Sequence, residues 1–185
     1  MPRPLTVLIW VWVAWALSWW AAAFWSNRTQ ARASIIQELP YRLITVVGAA
    51  FLFYPRLRLA SLWTAPEPAA WTLVAIAVLG FGFCWWARLT LGRLWSATVT
   101  RKDGHRIVDT GPYALVRHPI YTGVIVAVAA LAILKGSVGA LIGFALVVLG
   151  FWIKARLEER FLGAALGEEA YADYRRRTGM LFPGL

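Results

Sequence analysis

One polar stretch, Gly111-Pro112-Tyr113-Ala114-Leu115-Val116-Arg117-His118-Pro119-Ile120-Tyr121-Thr122-Gly123, breaks a chain dominated by apolar segments. An arginine, a histidine and two tyrosines stand beside the start of an apolar run, and Gly111-Pro112 supplies a turn. Pro119 suits the first helical position, where its missing N–H would have had no partner. A helix that starts there presents unpaired N–H groups and a partial positive charge, so the stretch can receive an anion. A second polar group, Arg156-Leu157-Glu158-Glu159-Arg160, follows the last long apolar segment. Arg156 and Glu159 are three apart, share a helix face and are predicted to pair. The third group runs from Tyr171 to Arg177, with Tyr171 and Tyr174 on one face of a short helix. Taken singly, the three read as an interfacial loop with a snorkelling arginine, a solvated helix end and an amphipathic surface helix. Their chemistry depends on whether the chain brings them together.

The elements that must position them are membrane spans. The chain has 185 residues, of which 60% are hydrophobic and 15% charged. Its mean hydropathy is +0.60. Such a composition excludes an ordinary soluble domain and predicts one all-α integral membrane domain. The apolar runs predict about five spans, near residues 5–25, 41–59, 69–87, 119–134 and 138–155. The second is the least regular, with Pro40 before it and Pro55 inside it. The last two, separated by Lys135-Gly136-Ser137, form a tight helical hairpin. Beyond it, Phe161, Leu162, Ala165 and Leu166 recur at helical spacing. Gly167 interrupts, and Glu168-Glu169 open a second short amphipathic helix. The first run carries six tryptophans and is too long for the apolar part of a signal peptide, so it is expected to remain as a span.

Charge orients the bundle. The net charge is +10, and 15 of the 19 Lys and Arg residues fall in regions 26–42, 88–118 and 154–177. Five spans put those regions on one side. The asymmetry predicts an outside N-terminus, with the C-terminus and the active site cytoplasmic, next to anionic lipid. Nucleic acid is not expected as a partner in so apolar a chain, and nothing points to an obligate protein partner. The single Cys84 excludes an intrachain disulfide, and His105 and His118 alone make a poor metal site, so no metal is expected.

The ordered combination resembles a known family. Gly111-Pro112-Tyr113, Arg117-His118-Pro119-x-Tyr121-x-Gly123, an apolar hairpin, Glu158-Glu159 and a Gly167-x-x-x-Tyr171-x-x-Tyr174-Arg175 tail ending near Pro183 are similar to the isoprenylcysteine carboxyl methyltransferases. The related phospholipid N-methyltransferases share part of the pattern. The likeness spans roughly residues 80–183, and the first two spans carry no motif. The resemblance implies a membrane methyltransferase that holds S-adenosylmethionine with its last hairpin and C-terminal helices and releases S-adenosylhomocysteine. Residues 88–185 would form the cofactor region, and the three spans within 1–87 the substrate side. Cofactor binding is carried over to Tyr113, Leu115, Val116, His118, Tyr121 and Glu158. Arg156 and Glu159 would stand near the reacting centre as the catalytic pair. The acceptor would be a lipophilic molecule from the bilayer, such as the carboxylate of a prenylcysteine.

The residue types suit that cofactor. His118 and the helix-start amides fit its carboxylate, Glu158 or Glu159 its ammonium or ribose, and Tyr113 and Tyr121 its adenine or sulfonium. A carboxylate acceptor is already ionised at neutral pH, so Arg156 would orient it rather than activate it. An amine acceptor would need a base, for which a glutamate serves. The alternatives are a phospholipid N-methyltransferase, an NADPH-dependent membrane reductase of the sterol type, and a non-catalytic scaffold.

Overall fold

A computed structural model describes residues 2–25, 29–102 and 107–184. Asn27, Arg28, His105 and Arg106 lie outside the described residues. The chain forms α1 (Pro4–Ala23), β1 (Thr29–Arg32), α2 (Ile35–Phe53), α3 (Glu67–Leu91), β2 (Thr100–Lys102), α4 (Pro119–Lys135), α5 (Val138–Leu166) and α6 (Glu168–Arg177). Among the described residues, α1, α2, α3 and α5 are long and apolar enough to cross a membrane, and α4 is a shorter apolar helix. The expected all-α membrane architecture of about five spans therefore stands. One addition is a small antiparallel ribbon, in which β1 pairs with β2.

Two element limits differ from expectation, each for a local reason. The second span begins at Ile35, not near residue 41. Ser34 and Gln37 form a capping box that starts the helix: the Gln37 amide donates to Ser34 Oγ at 3.3 Å, and the Ser34 amide donates to Gln37 Oε1 at 3.1 Å. Pro40 then sits in the second turn, where it forgoes one backbone bond without stopping the helix. The fifth span does not end near residue 155. It continues as one 29-residue helix to Leu166, so the apolar residues 161–166 extend the span instead of starting a separate element. At 1.5 Å per residue α5 is about 43 Å long, whereas the 17-residue α4 spans only about 25 Å. The hydrocarbon core is about 30 Å thick. The α4 start consequently lies level with the turn of α5 that carries Glu158 and Glu159, about two turns short of its end.

Close backbone approaches hold the bundle together. A Cβ on Gly80 of α3 would stand 2.7 Å from the Gly123 carbonyl oxygen of α4. A Cβ on Gly48 of α2 would stand 2.9 Å from the Gly143 carbonyl oxygen of α5. Small residues at such seams let helices pack where lipid offers no hydrophobic drive between them. The α4–α5 turn uses Gly136 in the left-handed region, and Ser137 caps α5 by accepting from the Ala140 amide.

Two buried charges anchor the loops at the other end. Arg88 of α3 donates to the carbonyls of Ala22 (2.9 Å), Trp25 (2.7 Å) and Gly92 (2.5 Å), and lies against the rings of Trp25 and Trp95. It supplies a donor to the Trp25 carbonyl and a second one to the Ala22 carbonyl, which already accepts from the Trp25 amide. Glu38 of α2 accepts from the Val99 amide at 3.0 Å and pairs with Arg42 and Arg32. The segment 95–99 is thus tied to α2 and α3.

Candidate functional site

The polar stretch folds as a short 3-10 turn (Gly111–Ala114) leading into α4, with His118 at its N-cap. The C-terminal segment closes over it. The Arg117 amide donates to the Gly179 carbonyl at 2.8 Å and the His118 amide to the Met180 carbonyl at 3.1 Å. Thr122 Oγ1 donates to the Leu181 carbonyl at 2.7 Å. Tyr174 of α6 donates its hydroxyl to the Tyr113 carbonyl at 2.7 Å. The three polar groups of the sequence therefore converge.

Glu158 and Glu159 meet this stretch from α5. Arg117 Nε donates to Glu159 Oε1 at 2.7 Å, and the two side chains are only 9% and 4% exposed. The same Glu159 oxygen lies 3.3 Å from His118 Nε2, and Glu158 Oε2 lies 3.5 Å from His118 Nδ1. Tyr121 donates its hydroxyl to Glu158 Oε1 at 2.6 Å and stacks its ring on His118 at 5.3 Å. Arg117 also donates from Nη1 to the carbonyls of Arg175 and Thr178. Burial disfavours a charged His118, but its contacts with Glu158 and Glu159 outweigh that and raise its pKa above the usual 6.5. Burial raises the phenols of Tyr113, Tyr171 and Tyr174, which keeps them as protonated donors.

These groups border one cavity of about 540 Å³, within the roughly 300–1,000 Å³ range of small-molecule sites. Its polar end holds Tyr113, Arg117, His118, Tyr121, Glu158, Tyr171 and Tyr174. Its apolar end is walled by Trp15 and Trp19 of α1, Trp95, Val124 and Phe151. Trp19 meets Trp95 edge-on at 5.6 Å.

Of the expected site residues, Tyr113, His118, Tyr121 and Glu158 line this cavity. Glu159 sits just behind it, buried, and pins Arg117 and His118. Val116 is fully buried and bridges to Gly179, while Leu115 points outward, 49% exposed. Neither side chain lines the cavity. The predicted Arg156–Glu159 pair is not formed, which corrects the spacing argument. Arg156 is exposed and lies over the Trp152 ring at 5.3 Å. Spacing alone allowed the pair, but two residues rotate an α-helix by about 200°, so Arg156 faces away from the cavity that Glu158 faces, while Glu159 is buried on the α4 side. Glu159 finds Arg117 across the α4–α5 contact instead.

Lys154, Tyr171, Tyr174 and the tryptophans were not among the expected site residues, yet they line the cavity. Lys154 had a legible signal, since it precedes Glu158 by four and so shares its face. The aromatic wall had none, because tryptophans of a span read equally well as lipid-facing.

Fold and site together define a multi-pass membrane protein with a polar-to-apolar cavity at one end of its bundle. The chain belongs to the isoprenylcysteine carboxyl methyltransferase family, whose profile matches residues 72–164. It is also 33% identical over 88 residues to the cobalt-zinc-cadmium resistance protein CzcN of Cupriavidus metallidurans. That match covers 47% of this chain and 40% of the relative.

Proposed function

We propose that the protein transfers a methyl group from S-adenosylmethionine to a lipophilic acceptor drawn from the bilayer, with a prenylcysteine-like carboxylate as the leading candidate. One observation carries this reading. A single cavity joins a polar end, bearing a carboxylate, a histidine and several tyrosines, to a tryptophan-walled end. A charged cofactor and an apolar acceptor must share such a space.

The donor set suits the cofactor. Glu158 would take its ammonium or ribose hydroxyls, and His118, whose raised pKa favours the imidazolium, would take its carboxylate by exchanging the 3.5 Å contact of Nδ1 with Glu158 for it. Tyr113, Tyr171 and Tyr174 offer aromatic faces and hydroxyls for the adenine. When bound, S-adenosylmethionine supplies an electrophilic methyl group. The chain's own contribution is alignment in a water-poor site. Tyr121 and His118 hold Glu158, while Glu159 holds Arg117 and His118, so the polar end is ordered before ligand arrives. The decisive experiment is labelled methyl transfer from S-adenosylmethionine to a panel of prenylcysteines, phospholipids and small lipophilic acids. Transfer to an acid supports this reading. Transfer to phosphatidylethanolamine alone would replace it with N-methylation.

The same reading puts the N-terminus outside and the polar end of the cavity in the cytoplasm, supported by the 15-to-4 split of basic residues. With Cys84 replaced, cysteines introduced at Asp109 and Glu169 should both be shielded from a membrane-impermeant reagent in intact cells. Labelling of either from outside would reverse the topology.

A further inference from the structure

Lys154 is a cation inside the cavity that the cofactor reading leaves unassigned. It stands one turn deeper in α5 than Glu158, on the same face. Its ammonium lies 5.1 Å from the Tyr121 ring centre and 5.7 Å from that of Tyr41. One of its three N–H groups donates to the Ala97 carbonyl at 3.0 Å. Glu158 Oε1 is 3.9 Å away, beyond hydrogen-bond length. The side chain is 12% exposed.

The other cations at this site are placed differently. Arg117 commits Nε to Glu159 and Nη1 to two carbonyls of the tail. His118 is held between the two glutamates. Arg156 faces away. Among the described cations of the lining, it is Lys154 that stands with Phe151, Tyr121 and the segment that carries Trp95, between the polar end and the tryptophans. Its ion pair with Glu158 is long, at 3.9 Å, and Glu158 itself accepts from Tyr121, so the ammonium keeps N–H groups that can receive an anion, whereas an amine is repelled. An anion that approaches it from the tryptophan side must bring an apolar body with it.

We infer that Lys154 is the residue that binds the acidic headgroup of the lipophilic acceptor and so selects an acid over an alcohol or an amine. The inference rests on the methyltransferase reading for the word acceptor, but the binding itself does not. Ala97 holds the ammonium in the meantime, and the acid would take its place or share it.

The test is equilibrium binding of radiolabelled hexadecanoate, hexadecanol and hexadecylamine to the detergent-purified full chain, at mildly alkaline pH. S-adenosylhomocysteine binding is measured in parallel. The wild type should hold hexadecanoate about tenfold or more above hexadecanol, as expected for a hydrogen bond to a charged group, with hexadecylamine weakest. Lys154→Gln should abolish that preference and leave hexadecanol binding unchanged. Lys154→Arg should retain much of it, which separates lost charge from lost packing. Equal binding of acid and alcohol by the wild type would overturn the inference, as would an undiminished preference in Lys154→Gln. If the wild type failed to bind S-adenosylhomocysteine while the acid preference still depended on Lys154, the cofactor reading would fall and the acid site would stand.

Discussion

The two ends of the cavity are built on different principles. At the polar end every described charged group has a named partner at a defined distance: Arg117 on Glu159, His118 between Glu158 and Glu159, Tyr121 on Glu158. At the other end the wall is aromatic surface from α1, α5 and Trp95, with aliphatic Val124 from α4. Directional bonds to buried charges tolerate little change, because a lost partner leaves a charge stranded in low dielectric. Aromatic area is non-directional and can accept different shapes. The contrast fits the proposed methyl transfer, which pairs a constant cofactor with a variable acceptor.

The contrast breaks most sharply at Glu159. Glu159→Ala would strand Arg117 and remove one of the two carboxylates that hold His118. It should cost about 3–5 kcal/mol of stability, read as a large fall in thermal midpoint and as lost S-adenosylhomocysteine binding. A variant as stable as the wild type would show that the polar end is not a connected unit.

His118→Ala comes next, weakening S-adenosylhomocysteine binding by roughly 1–3 kcal/mol in a folded protein. Calorimetry checks it, and unchanged affinity would remove His118 from the cofactor site. Its pH dependence has a definite sign. The folded pKa is raised, so the stabilisation from the charged imidazole is complete below the usual value of 6.5 and is lost as pH rises through the higher folded value. Thermal midpoints of the wild type should fall over that interval, and His118→Ala should flatten the slope.

At the apolar end, Trp19→Ala should weaken binding of a lipophilic acceptor by about 1–2 kcal/mol, from lost apolar contact alone, while the affinity for S-adenosylhomocysteine holds. A parallel loss of both would mean that the two ends are not separable. The smallest effect belongs to Arg156→Ala. An exposed side chain facing away from the cavity should change stability and cofactor affinity by no more than about 0.5 kcal/mol, with turnover close to the wild type. A sharp fall in turnover would return Arg156 to the reacting centre.

The sequence by itself determined the class of fold and the pieces of the polar end. Long apolar runs can only span, since backbone groups in lipid must bond within their own helix. The turn, the N-terminal proline and the Glu-Glu pair are local signals, readable at short range, and it was through the family resemblance they carry that Tyr113, His118, Tyr121 and Glu158 were expected in the site. Tertiary structure decided the rest. The mismatch in length between α4 and α5 sets His118 against Glu158 and Glu159, a distance relation that neither segment encodes alone. Helical phase, combined with the side on which α4 packs, gave Glu159 to Arg117 and turned Arg156 outward. Whether a tryptophan of α1 faces lipid or the cavity depends on its neighbours α3 and α4, and no property of α1 itself distinguishes Trp19 from the exposed Trp10. Lys154 shows the same limit: its spacing from Glu158 was local, but only packing against Tyr41, Ala97 and Tyr121 placed its charge inside the cavity.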